Sequence, residues 1–401
     1  MNDSYGFDMK QMSNELTLLI ELLKTTNGNN IGVTNNEYLK KTDWDQFLQL
    51  TMYHRLHPLI YLKLKDLECE YIPALVMQRL EQEYKKNAYE MLKLSGEMGY
   101  VSELFRENNI RSLFLKGPVI ALDLYGDVSL RTSKDLDILI SLNDLDKTRE
   151  ILLKCGYEKE EVLTPLGNKV GRMLAKDENY VHPKKGTIIE IHWKLHPYSL
   201  NEPDFEELWG RKRIKNFGNY PIHFLGEEDL FLFLVAHGAR HGWFRLRWLL
   251  DIHQIMSNQI NTEGNSSILK KIDHRHLVWG VNYLGQAIIL TSMLFDTPIN
   301  GAVQSITERN GAKKLAKKTL IHLSWQAQLK NTPSREYLDK SPARYTFSIM
   351  PSNQKIIFLM RLFYPTTSDV ETLTLPKSLQ FMYIPLRPFL GVWRKTGKLL
   401  K

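Results

Sequence analysis

Two aspartates interrupt an otherwise apolar run, Asp135-Leu136-Asp137-Ile138-Leu139-Ile140, and that interruption constrains the chain more than any other feature. Leu136–Ile140 has the length and composition of a strand. Residues i and i+2 of a strand point to the same face, so Asp135 and Asp137 project side by side. Carboxylates held that close repel each other and lose hydration unless a cation lies between them. Hard divalent ions suit such a pair, since they prefer oxygen ligands and keep substrate phosphates as further ligands.

Upstream, Ser112–Leu115 is a second strand candidate, and it ends in Lys116-Gly117. Glycine there lets the backbone approach a phosphate closely. A helical turn begins at Pro118, and its free amides face an anion. Lys116 and Arg131 add positive charge. Alone, one such glycine reads as an ordinary strand-to-helix turn.

Downstream, Thr187-Ile188-Ile189-Glu190-Ile191-His192-Trp193 is again strand-like and again interrupted by an acid. Glu190 and His192 share a face. If this strand neighbours the first, Glu190 completes a three-carboxylate cage; otherwise it reads as an ion-paired or hydrogen-bonded residue at a strand edge. Asn179–His182 and Thr187–Lys194 flank Pro183-Lys184-Lys185-Gly186 and form a hairpin.

Around this unit the chain is helical. Met9–Leu23 is amphipathic. Asn36–Lys65 holds two helical segments, with Thr42 or Asp43 as a cap, and Ile72–Asn108 is long and almost free of breakers. Asp144–Cys155 is helical and stops at Gly156. Helix returns at Glu227–Ala239 and Leu246–Met256, in the buried segment Leu277–Phe295, and in Ala312–Leu329 and Phe347–Tyr364. The expected fold is α+β, a small mixed β-sheet flanked by helical regions. Its boundaries fall at 1–108, 109–224 and 225–401.

His237 and His241 stand four apart on a helix with Arg240 between them, without the glutamate of a metalloprotease motif. They either line a cleft facing the mixed unit or serve packing. The aromatics Trp243, Phe244 and Trp248, beside Arg245 and Arg247, make a mix able to stack a base, with at least two of the three expected in the core. Tyr53-His54-Arg55-Leu56-His57 reads as surface and packing.

The net charge of +8 weakly favours phosphate-rich partners. The two cysteines, Cys69 and Cys155, lack CxxC spacing, and the first residues lack the apolar core of a signal peptide. Both point to a reducing cytoplasmic compartment. The tail Arg394–Lys401 is basic. P-loop, dinucleotide-binding, GxSxG, zinc and protein-kinase signatures are absent from the sequence.

In order, Lys116-Gly117, Arg131, Asp135-Leu136-Asp137 and Glu190-Ile191-His192-Trp193 resemble the DNA-polymerase-β-like nucleotidyltransferase superfamily, most closely its bacterial branch of uncharacterised nucleotidyltransferases. The later helix with His237, His241 and Asp251 is similar to that branch too. The resemblance spans Ile110 to Met256. It implies a palm-like domain, an NTP substrate and Mg²⁺, with Mn²⁺ as the second candidate ion. Asp135, Asp137 and Glu190 would hold the metal, and Lys116, Gly117, Arg131, His192, His237, Arg240 and His241 would contact the nucleotide. Pro118 replaces the usual serine, and Glu190 the usual aspartate. The expected reaction moves a nucleoside monophosphate onto an acceptor hydroxyl or phosphate. A small molecule, peptide or natural product is the favoured acceptor. A toxin-like enzyme acting on tRNA or protein, and a non-catalytic nucleotide-binding regulator, are the alternatives.

Overall fold

The computed structural model describes residues 12–24, 39–67, 70–160, 175–197, 202–262, 281–299, 301–328, 347, 350 and 352–397. A seven-stranded mixed sheet lies at its centre, with helices around it. The strands are β1 (Ser112–Phe114), β2 (Asp135–Ile140), β3 (Glu158–Lys159), β4 (Asp177–His182), β5 (Thr187–His192), β6 (Arg213–Phe217) and β7 (Tyr220–Phe224). Their order across the sheet is β3-β4-β5-β2-β1-β7-β6. β2 runs antiparallel to β1 and parallel to β5, so the two acid-bearing strands are neighbours in the middle of the sheet. The expected hairpin forms as β4–β5, but β5 is an interior strand, not an edge.

Between β1 and β2 runs helix α5 (Pro118–Tyr125), preceded by Gly117 at φ 92°. An L side chain is strained in that conformation, and glycine adopts it without cost. The β6–β7 hairpin was not expected from the sequence. Its two-residue turn, Gly218-Asn219, has Gly218 at φ 57°.

The N-terminal helices are α1 (Asn14–Lys24), α2 (Trp44–Tyr53), α3 (His57–Leu67) and α4 (Ala74–Glu107). Asp43 caps α2 by accepting from Gln46 N–H at 3.1 Å. The breaker-free stretch is one helix, α4, whose 34 residues span about 50 Å at 1.5 Å per residue. It is fixed to the sheet region by Asn87, which donates to Ser129 O at 2.6 Å, and by Ser102, which donates to Pro221 O at 3.3 Å.

After β2 comes α6 (Leu145–Lys154), and between β5 and β6 α7 (Phe205–Gly210), closed by a capping box of Asp204 and Glu207. Beyond the sheet run α8 (Glu227–Arg240), α9 (Leu246–Thr262), α10 (Val281–Phe295), α11 (Gly301–Thr307) and α12 (Asn310–Gln328), then α13 (Ser352–Phe363), α14 (Thr367–Thr372) and α15 (Tyr383–Gly397). Residues 277–280 of the expected buried segment, the end of the basic tail and Cys69 lie outside the described residues. The rest of that segment is the buried helix α10, where Gln286 donates to Thr319 Oγ1 at 2.9 Å. Among the described residues no helix is long and apolar enough to cross a membrane.

Buried apolar residues from Met12 to Leu323 form a continuous core. The N-terminal helices, the sheet and helices α8–α12 therefore share one interior.

Candidate active site

The parallel register of β2 and β5 sets Asp137 directly beside Glu190, and Leu139 beside His192. Asp137 is almost wholly buried (1% exposed), while Glu190 is half-buried. Lys116 Nζ, delivered just past β1, lies 2.9 Å from Asp137 Oδ1. His192 Nε2 lies 3.2 Å from the same oxygen and 3.4 Å from Glu190 Oε2. Lys176 Nζ is 3.3 Å from His192 Nδ1. An ammonium can only donate, so this contact makes Nδ1 an acceptor and leaves the ring proton on Nε2, aimed at the carboxylates. His192 thus reads as a donor that orients the acids.

These contacts split the carboxyls electrostatically. Burial alone would raise Asp137, but Lys116 and His192 overcome it and hold the group well below the usual carboxylate range. The hydrogen bond from His192 likewise lowers Glu190. Asp135, by contrast, is pushed up, first by burial and then by the charge of Asp137.

Asp137 Oδ2 is buried and has no hydrogen-bond partner among the described residues. An ionised oxygen left bare in the interior is costly unless something positive meets it. Ligand atoms of Asp137, Glu190 and His192 lie within 4.8 Å of one another. Asp135 lines the same cavity but is not part of that close group. Bare carboxylate oxygens on adjacent strands fit a hard divalent cation.

The acids open into a cavity of about 670 Å³, within the range of small-molecule sites. His237 and Arg240 of α8, and His241 just past its end, form the wall facing the sheet, with Trp248 of α9 beside them. The His237 and Trp248 rings are 5.6 Å apart, and those of His241 and Trp248 are 5.2 Å apart. Burial, with Lys116 nearby, holds His237 well below the usual imidazole range, so the ring is neutral. A neutral imidazole–indole wall can stack on a flat ring. Phe244 and Trp248 line the cavity, whereas Trp243 is fully buried. Trp248 also packs against the core while it lines the cavity, so two of the three aromatics pack as expected.

Arg131 has a partner of its own. Its Nε and Nη2 donate to Asp251 at 3.0 Å each, and Tyr125 Oη donates to the same carboxylate at 2.8 Å. The guanidinium reaches the cavity edge with its charge already answered. All ten of the sequence's candidates but Gly117 line this one cavity, and Gly117 adjoins it through Lys116.

Several lining residues were not singled out. Lys176 and Asp177 form an ion pair at the start of β4, where Asp177 pairs in register with His192. The strand that follows, Asp177-Glu178-Asn179-Tyr180-Val181-His182, is mostly polar, so its local sequence gave no signal that Asp177 lines a cavity. Burial, then Arg240, pulls Lys176 down to about 8. Arg55 also lines the cavity and His54 is fully buried, so the Tyr53–His57 stretch is not surface. Nothing in the local sequence distinguishes Arg55 from a solvated arginine.

Compared with known protein families, residues 40–288 match the family described as uncharacterised nucleotidyltransferase. No curated protein matches the chain. Among solved structures, it is similar to an antigenic nucleotidyltransferase-like protein from Paracoccidioides brasiliensis at 15% identity and a TM-score of 0.33, over 53% of this chain and 95% of that one.

Proposed function

The chain belongs to the uncharacterised nucleotidyltransferase family, and from that membership we propose that it moves a nucleoside monophosphate from an NTP to an acceptor hydroxyl or phosphate and releases pyrophosphate. The observation that carries the reading is the pairing of Asp137 with Glu190 across two parallel strands, with one Asp137 oxygen left bare in the interior.

Asp137 and Glu190, with Asp135 at their side, would hold a divalent ion, Mg²⁺ or Mn²⁺. That ion would neutralise phosphate charge and lower the pKa of the acceptor hydroxyl. The acceptor oxygen bonds to the α-phosphorus as the bond from α-phosphorus to the bridging oxygen of pyrophosphate breaks. Glu190, kept ionised by His192, is the nearest base for the acceptor's proton. Lys116 and the amides after Gly117 face the phosphates, and Arg131, held in place by Asp251, borders the cavity beside them. His237, Arg240 and His241 supply the opposite wall for the nucleoside. Rate enhancement then comes mainly from positioning and electrostatics.

The cavity favours a small-molecule, natural-product or peptide acceptor over a folded nucleic acid. A reducing cytoplasmic setting, in which Cys155 stays free, belongs to the same proposal. Incubation with each labelled NTP and candidate acceptors, with Mg²⁺ or Mn²⁺, tests it. Label transfer by the wild type that disappears in Asp137→Asn is expected. NTP binding without any transfer would instead favour a nucleotide-binding regulator, and transfer confined to tRNA or protein a toxin-like enzyme.

A further inference from the structure

Helix α2 ends in a turn that usually demands glycine, and here it carries an arginine. Leu56 N–H donates to Thr51 O and Arg55 N–H to Met52 O, both at 3.0 Å, the paired bonds of a Schellman turn. Arg55 occupies its left-handed position at φ 57°. Glycine is the common residue there, because an L side chain is strained and a long one gains nothing from the turn itself. Strain retained at a cavity wall points to the side chain as its reason.

A second arginine is brought to the same place from the other end of the chain. Leu246 N–H donates to His54 Nδ1 at 3.3 Å, a buried bond between residues 192 positions apart. Arg55 follows His54 and Arg245 precedes Leu246, so this one bond sets the two arginines together. Burial and the charge of Arg245 disfavour the Arg55 guanidinium, while Asp135 favours it. Among the described residues neither arginine makes an ion pair, and Arg245 rests over the Trp248 ring, 6.0 Å from its centre.

The cavity as a whole calls for an anion. Seven Arg or Lys side chains line it against four carboxylates. Setting Arg131 against Asp251 leaves six against four, before any metal ion is counted. Two adjacent unpaired guanidinium forks match the geometry of phosphate oxygens.

We propose that Arg55 and Arg245 form a clamp that takes the terminal phosphates of the nucleoside triphosphate, so that the N-terminal helical region completes the substrate site. This rests on the nucleotidyltransferase reading and adds a binding role to residues outside the acid-bearing strands.

Arg55→Gly is a clean test, because glycine is the residue the turn prefers. The full-length variant should melt at the wild-type temperature or above. Its affinity for inorganic tripolyphosphate and for each of the four NTPs, with Mg²⁺ and measured by calorimetry, should fall about tenfold or more, as for lost charge-assisted hydrogen bonds. Affinity for nucleoside monophosphates should be unchanged. Arg245→Gln should give the same selective loss. Wild-type affinity for tripolyphosphate in both variants overturns the clamp and leaves the nucleotidyltransferase reading standing. So does an equal loss for mono- and triphosphates. A wild type that binds neither tripolyphosphate nor any NTP overturns both.

Discussion

Asp137 shows how one residue is specialised by its contacts. Lys116 and His192 hold it ionised on one oxygen and leave the other bare. Asp137→Asn keeps the shape and removes the charge, and turnover should fall by about a hundredfold or more, a loss expected when a preorganised electrostatic partner is removed. Steady-state label transfer measures it. His54 governs a different property. Its Nδ1 accepts from Leu246 N–H, and burial, with Arg245 nearby, lowers its pKa from 6.5 to about 3. The unfolded chain therefore binds a proton between about pH 6.5 and 3 that the folded one refuses. Stability from this group is complete above pH 6.5 and is lost as pH falls towards 3. At pH 5 the loss is about 2 kcal/mol, from 1.4 kcal/mol per pH unit. Denaturant unfolding at pH 7 and pH 5 should show it as a change of slope. His57, His196, His237 and His241 are lowered too, so His54→Asn should shrink the wild-type difference by about 2 kcal/mol without abolishing it.

Among the elements, α8 depends on a glycine for a packing reason. A Cβ at Gly238 would come within 2.1 Å of the buried Trp243 ring. Alanine in mid-helix normally gains about 1 kcal/mol over glycine. Here overpacking should outweigh that gain, and Gly238→Ala should cost about 1–3 kcal/mol net by thermal unfolding. A wild-type melting temperature would show that the ring moves aside freely. Strands β1, β2 and β5 were legible because apolar β-branched and Leu residues fill them. The β6–β7 hairpin was not. Lys215, Asn216, Pro221 and His223 hide its alternation, and proline ordinarily argues against a strand. Pro221 is tolerated because β7 meets β1 only at Phe224, beside Phe114, so the proline lies beyond that ladder.

At the scale of the whole molecule, the Arg131–Asp251 pair ties α9 to the segment leading into β2, with Tyr125 of α5 on the same carboxylate. Both charged groups are at most 2% exposed. Asp251→Ala would strand a buried guanidinium and should cost about 3–5 kcal/mol. Equilibrium unfolding measures this, and adding Arg131→Met should recover much of the loss; no recovery would mean that Asp251 acts through some other contact. The sequence by itself determined which residues share a strand face, since a period of two is a local property. It put Asp135 with Asp137 and Glu190 with His192, and the ordered motifs marked the family. The tertiary structure alone decided that β2 and β5 lie parallel with Asp137 opposite Glu190. It also set the His192 ring against both acids, and placed Arg55 and Arg245 against one cavity. Register and contact between distant segments follow from how the shared core packs, which no local pattern encodes.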